Sequence, residues 1–420
     1  MRANSPLTAH IDSADPIDPL DLVDPARFAA NGYPEAAWAR LRAEASIAHF
    51  APPGYDPFWA VTKHADVAEV TSQPVRFSNE HGLVLGPVGA PSQPMEMVVT
   101  MDPPRHGPLR RLGMRHFTPR SIRSRHAEID RITTEILDQA ATGADPSTFD
   151  FVERIAAPLP IAVISWFLGV PREDWQLLFR WTNEIVGKDD PDFGRPGETP
   201  AQTVRRARGE LHGYLNELIA QRRREPGDDI VSHLIRSEID GEPLSEVQLL
   251  NYCELIVEAG NETTRNAISG GLLAFADHRA EWERLKEHPD LLPSAVEEIL
   301  RWVSPIIHFV RTATEDCELK GIPISSGEKV ALFYASANRD EEVFGDPFTF
   351  RVDRRPNPHM AFGMGEHFCM GAHLARLELE TVFRHLLTRL EWFELDGPAD
   401  RLNSAVNGGI KHLRLHCRLL

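Results

Sequence analysis

Phe362-Gly363-Met364-Gly365-Glu366-His367-Phe368-Cys369-Met370-Gly371 is the stretch on which the reading of this chain turns. A run with helical spacing, residues 372–390, follows it directly. Glycines at 363 and 365 let the backbone turn its amide N–H groups toward the sulfur, and Gly371 leaves no side chain where a flat cofactor would press on the backbone. The helix that begins just after Cys369 adds its positive end to the same atom. These parts suit a buried thiolate. No second Cys and no Cys/His pair lies at zinc spacing, which disfavours a zinc site.

The chain around this stretch has 420 residues, 42% hydrophobic and 25% charged, an ordinary globular balance with material for a large core. No internal repeat or long linker divides it. Residues 1–31, rich in Asp and Pro, read as an irregular arm, and residues 32–420 as a single domain. A net charge of -17 argues against nucleic-acid partners, which need a basic surface. The N-terminus lacks the flank and apolar run of a secretory signal and no segment is apolar enough to span a bilayer, so a cytoplasmic location is expected. Four scattered cysteines do not make a disulfide framework. One stretch departs from the acidic average: seven arginines and no acid lie between Arg105 and Arg125.

Hydrophobic spacing gives helix 34–43, extended runs 46–50 and 58–61 split by Pro52-Pro53-Gly54, and helix 63–71. Residues 82–97 dissolve into Gly, Pro and scattered apolar positions, as a cavity-lining loop would. Helical spacing returns at 122–140, 151–167, 174–186 and 203–223, and the Asp, Gly and Pro of 187–200 suggest a mobile lid. The most apolar long helix spans 245–276 and should cross the core. A helix at 291–303 and short strands at 307–314, 318–319 and 329–333 complete a fold that is mainly α with small β-sheets.

Within the long helix, Ala259-Gly260-Asn261-Glu262-Thr263-Thr264 interrupts a buried stretch with polar groups, which need a reason to be there. Thr263 can bend the helix by bonding a carbonyl one turn back, while Ala259 with Gly260 leaves room for a flat cofactor and a diatomic ligand. Glu258, one turn before Glu262, is a charge that must be matched. It either turns toward a polar neighbour or meets a polar group on a substrate.

The Cys369 loop resembles the cysteine-ligand loop of the cytochrome P-450 family, and further elements fall in that family's order. Glu298-Ile299-Leu300-Arg301 is similar to its ExxR element, which with Arg354 implies a buried ion-pair network behind the loop. His106 and Arg110 are similar to its HxxxR element. The resemblance implies that these two, with Arg311 and His367, bind the propionates of haem b, and that Cys369 ligates the iron. Glu262 and Thr263 resemble the acid–threonine pair that assists dioxygen activation, with Glu where many relatives carry Asp. Glu258, Ala259 and Ile307 are the candidate substrate-pocket residues.

The resemblance further implies a long core helix crossing over the haem. It implies a monooxygenase that hydroxylates a lipophilic small molecule: a terpenoid, steroid, fatty acyl or aromatic compound. No flavin or ferredoxin segment is present, so electrons are expected from a separate ferredoxin and ferredoxin reductase. The arginine-rich stretch is either a docking face for that acidic partner or a solvated helix face. A monomer is expected. Two alternatives stay open: a peroxide-driven or isomerising haem-thiolate enzyme, which would not need the Glu262-Thr263 pair, and a non-enzymatic haem carrier or sensor.

Overall fold

Ser245 starts the longest helix among the described residues with a reciprocal cap. Its hydroxyl accepts from the Gln248 amide at 3.2 Å, and the Gln248 side chain accepts from the Ser245 amide at 3.0 Å. The helix, Glu246–Asp277, runs through the middle of the molecule and is called the core helix below. In this computed structural model, residues 16–86, 88, 96–142 and 145–420 are described.

Helices Pro158–Leu168, Trp175–Val186, Leu292–Val303 and Ala372–Arg389 pack on the core helix. Their apolar side chains merge into one cluster that includes Ile164, Phe275, Ile299 and Phe383. Helix Pro200–Arg224 crosses it on another side and is called the crossing helix. Gly260 makes one of these contacts possible: a Cβ there would lie 2.8 Å from Cδ1 of Ile164. The expectation that Gly260 leaves room for a cofactor is therefore corrected, because its open side is filled by the neighbouring helix.

The main sheet has five strands in the order Ile47–Phe50, Phe58–Val61, Lys329–Phe333, His308–Ala313, Phe77–Ser78. Only the pairing of Phe58–Val61 with Lys329–Phe333 is parallel. Side chains alternate between two buried faces. Phe58, Ala60, Ala331 and Phe333 join Trp38 and Phe28, while Trp59, Val61, Val330 and Leu332 join Val67 and Phe77. Burial on both faces explains why these strands read as continuous apolar runs. A three-stranded sheet, Leu390–Leu395, Arg414–Leu419 and Thr148–Asp150, was not foreseen.

Several expectations are corrected. Part of the irregular arm is ordered: Asp24 accepts the Ala26 amide at 2.9 Å and caps helix Pro25–Asn31, whose Phe28 is buried. Asp followed by Pro is a helix start here, since Pro lacks only an N–H that the first turn leaves free. Residues 1–15 of that arm lie outside the described residues, as do 87 and 89–95 of the expected cavity-lining loop. The helix expected at 122–140 is two, Pro119–Ser124 and His126–Thr142. In the next, the Ala157 amide bonds the Val152 carbonyl at 2.9 Å through a π-type turn. Pro158 has no N–H with which to continue an α ladder.

The 187–200 segment, expected as a lid, is stitched down instead. Asp190 is buried, accepts the Asn403 amide at 2.8 Å and pairs with Lys411 at 3.2 Å. No helix among the described residues is long and apolar enough to cross a membrane.

Candidate active site

The cysteine loop is held by its own backbone. Cys369 donates its amide to the Phe362 carbonyl at 2.8 Å, and the Gly371 amide donates to the sulfur. Gly365 has φ +69, and a Cβ on it would stand 2.9 Å from the Thr71 carbonyl oxygen, so no other residue fits there without moving the backbone. Cys369 is exposed as a residue, while protein surrounds its sulfur closely. Burial raises the thiol's pKa, and the Gly371 N–H, Arg110 and Arg376 act to lower it. Among the described residues no three His, Cys, Asp or Glu side chains gather as a bare-ion site.

Behind the loop stand two ion-pair systems. Glu298 accepts from Arg301 at 2.7 and 2.8 Å, from Arg354 at 3.1 and 3.0 Å, from the Arg351 amide at 3.0 Å and from Asn357 at 3.2 Å. Arg301 and Arg354 pass their remaining donors to carbonyls of Asn338, Pro347, Gly345 and Thr349. This is the network that the ExxR resemblance implied. The second was missed. Glu297 accepts from Arg376 at 2.6 and 2.8 Å and meets His359 at 3.0 Å. Burial works to raise its pKa, but the bonds from Arg376 and His359 hold it down at about 2. The Arg376 guanidinium lies 4.6 Å from the Phe362 ring centre, so this pair braces the start of the loop.

Four sequence-predicted donors converge beside the loop. His106 and Arg110 share a face of helix His106–Met114, and Arg110 donates to the Phe368 carbonyl. The rings of His106 and His367 stand 4.2 Å apart. Arg311, on strand His308–Ala313, is buried and close enough to depress the His367 pKa. Burial, then His106, Arg311 and Arg110, push His367 down to about 3, so it is a neutral imidazole. Nε2 of both His106 and His367 is buried without a partner.

The nearby acids are Glu366, half exposed at 3.8 Å from His106, and Asp102, which is engaged by Ser78 and the Asn79 amide. A pocket rich in donors with orphaned nitrogens asks for an anion. The residues present therefore fit a flat macrocycle carrying two carboxylates, with a thiol alongside.

The core helix meets the loop at Tyr252, whose hydroxyl donates to Met370 Sδ at 3.8 Å. Ala259 is exposed in the middle of this otherwise buried element, and Thr263 is half-buried one turn on, its hydroxyl donating to the Ala259 carbonyl at 2.9 Å. Glu262 is turned away from that opening. It pairs with Arg265, which donates to Asn183 at 2.8 Å, while Asn261 donates to Thr182 at 2.8 Å. Burial raises the Glu262 pKa against the pull of Arg265. Glu258 turns toward a polar neighbour, the first of its two options: Arg208 of the crossing helix lies 3.5 Å away. Ile307 does not reach the cleft. It is 1% exposed and packs with Trp38, Phe58 and Phe333, while its neighbours Ile306 and Phe309 are half-buried.

Known proteins share this arrangement. The family model for cytochrome P450 matches residues 53–412. Steroid C26-monooxygenase of Mycobacterium tuberculosis is 38% identical over 411 residues, 94% of this chain and 91% of that one. Linalool 8-monooxygenase of Pseudomonas putida is 35% identical, over 91% of this chain and 95% of that one. The structure of Mycobacterium marinum cytochrome P450 CYP268A2 in complex with pseudoionone has a TM-score of 0.87 at 34% identity, covering 96% of this chain and 99% of the other. With over a third of its residues shared along nearly its whole length, the chain belongs to the cytochrome P450 family and is one of its haem b-dependent monooxygenases.

Proposed function

We propose that the chain hydroxylates a lipophilic molecule of the steroid or terpenoid class, with Cys369 as the iron's thiolate ligand and His106, Arg110, Arg311 and His367 holding the haem propionates. The observation that carries this reading is the donor pocket, whose two orphaned imidazole nitrogens lie within reach of the Cys369 loop. The substrate class rests on the named activities of two relatives. Residues 32–420 act as one catalytic unit, monomeric and cytoplasmic.

When bound, the haem supplies dioxygen activation and oxidising power, which the side chains lack. The chain's residues do the rest. The Gly371 amide, Arg110 and Arg376 favour the thiolate form of Cys369. His106 and His367 donate from Nε2 and the two arginines neutralise the carboxylates. Apolar side chains exclude water and orient the guest. Thr263 holds a proton at Oγ1, and burial of the neighbouring Glu262 raises the affinity of its carboxyl for one against the pull of Arg265.

Thr263→Ala tests the reading. Product per reduced nicotinamide should fall roughly tenfold, about 1.4 kcal/mol of barrier, with peroxide rising in parallel. The ferric spin-state shift produced by steroid and terpenoid guests should survive. Full coupling in Thr263→Ala would place oxygen activation elsewhere, and absence of a shift with either guest class would remove the substrate assignment.

Electrons come from a ferredoxin that docks on the basic stretch. Arg105 is taken by Glu80 and Glu96, and Arg125 covers the Phe167 ring at 5.0 Å. Arg111, Arg120 and Arg123 are exposed, and none pairs with a carboxylate among the described residues. Arg120→Gln with Arg123→Gln should slow reduction by ferredoxin severalfold at low ionic strength, the difference closing as salt rises. Stopped-flow reduction measures it; equal rates at low salt would move the docking face off this stretch.

A further inference from the structure

Three glutamates stand one turn apart on the core helix: Glu254, Glu258 and Glu262, with side chains 1%, 15% and 2% exposed. Buried carboxyls at i, i+4 and i+8 share a stripe. Each is held differently. Glu254 is saturated, with Arg208 Nε at 2.6 Å on one oxygen and His212 Nε2 at 2.6 Å on the other. Glu258 shares a hydrogen bond with Glu254 and has only Arg208, at 3.5 Å, as counter-charge. Glu262 has Arg265. Oε1 of Glu258, the oxygen 3.5 Å from Arg208 Nη2, and Oε1 of Glu262 are both buried without a hydrogen bond.

A clamp between the crossing helix and the core helix explains Glu254 alone. One cation and one carboxylate suffice for it, and a second carboxyl beside the same guanidinium adds repulsion and burial cost. Burial, then the charge of Glu254, push Glu258 up to about 8 against the pull of Arg208, so it carries a proton at neutral pH. The charged groups facing the stripe are Arg208 and His212 from the crossing helix and Arg265 from the core helix. Helix Trp175–Val186 offers the neutral Thr182 and Asn183, its Glu184 being held by Arg195 and Arg206. His212 and Arg208 are partly solvent-exposed at one end, and Glu262 adjoins Thr263 at the other.

We propose that His212, Glu254, Glu258 and Glu262 form a proton inlet from the surface at the crossing helix to Thr263, the last transfer made when the Glu262 carboxyl swings from Arg265 toward the Thr263 side of the core helix. This rests on the monooxygenase reading above. Each carboxyl accepts a proton on one oxygen and releases one from the other, so only O–H and N–H bonds form and break and no electron moves. Oε1 of Glu258 and Oε1 of Glu262, neither hydrogen-bonded, stand one helical turn apart, a gap to be closed by a direct bond or by one water. Glu258 is the controlling step, because it is the link that must be protonated between two acids.

The test begins on the resting protein by infrared spectroscopy. A protonated-carboxyl band should titrate with a midpoint near about 8 and vanish in Glu258→Gln. In the haem-loaded enzyme, turnover should fall as pH rises through the same midpoint. Glu258→Gln should cut turnover at least tenfold and raise the solvent isotope effect, Glu258→Asp should restore most of it, and the substrate spin-state titration should not move. His212→Gln, at the outer end where folding is least at risk, should slow turnover in the same direction and raise the solvent isotope effect as well.

Wild-type turnover and isotope effect in both Glu258→Gln and His212→Gln, with Thr263→Ala still uncoupled, would overturn the inlet and leave the reaction intact. A weakened spin-state titration in Glu258→Gln with an unchanged isotope effect would assign Glu258 to substrate and overturn it too. If Thr263→Ala is itself fully coupled, the underlying reading fails instead.

Discussion

Cys369→His abolishes the red-shifted Soret band of the reduced, carbon-monoxide-bound protein and lowers product formation by at least about a thousandfold, about 4 kcal/mol of barrier. The other three thiols cannot take its place. Cys253 and Cys417 are buried in the helical core, where burial pushes their pKa values up to about 12 and about 11. Cys317 sits in the short hairpin Cys317–Leu319/Ile322–Ile324, partly buried against the cluster of Val67, Phe77 and Leu332. Of the four, only Cys369 is an exposed residue, and an amide and two guanidiniums favour its anion. An imidazole there binds iron without the electron donation of sulfur. The measurement is the absorption spectrum, with product counted separately and folding checked by thermal melting. Survival of the band in Cys369→Ser, or its loss in Cys253→Ser, would show that the ligand was misassigned.

Glu298→Ala should lower unfolding free energy by about 3–5 kcal/mol, because it leaves two fully buried guanidiniums without their carboxylate. Glu298 and Arg301 are 0% exposed and Arg354 is 5% exposed, so water cannot replace the lost partner. Glu298→Gln should cost less, since an amide still accepts from one arginine. The urea midpoint, read with an unchanged slope, gives the loss, and the haem content of the purified protein should fall with it. A double-mutant cycle with Arg354→Gln should return a coupling above about 1 kcal/mol. Additive effects, or a midpoint shift within error, would demote the network to an ordinary helix pair.

What the sequence disclosed and what it withheld follow from distance along the chain. The Cys369 loop, the His106–Arg110 pair and the Glu298–Arg301 pair are local spacings, and each stands in the structure as its spacing implied. Glu297 with Arg376 is separated by 79 positions, and no period connects them. The anchoring of Asp190 by Asn403 and Lys411 spans more than two hundred positions, so composition suggested a lid where contacts make a seam.

Ile307 was assigned to the pocket from apolarity alone. Ile307 lies one residue before strand His308–Ala313, where apolarity alone does not say whether a side chain meets the cleft or the core. Two signals were present and unread. Asp24-Pro25 has the chemistry of a helix start, and Arg414–Leu419 alternates exposed and buried side chains along its whole length, the period of a strand.

The donors proposed for the cofactor lie far apart in the chain, at 106 and 110, at 311, and at 367 and 369, and they meet only after the main sheet and the cysteine loop have come together. This fixes a sequence of events during biosynthesis. The ribosome releases the histidine and arginine of the first segment long before the sulfur, so the nascent chain has no complete grip until its last segments emerge. Cofactor capture is then a closing event, and its binding energy counts toward a nearly finished fold instead of guiding early steps. Cells short of haem would accumulate a chain whose helices are formed and whose loop, strand and helix contributions to that pocket lack a common partner, a natural substrate for quality-control proteases.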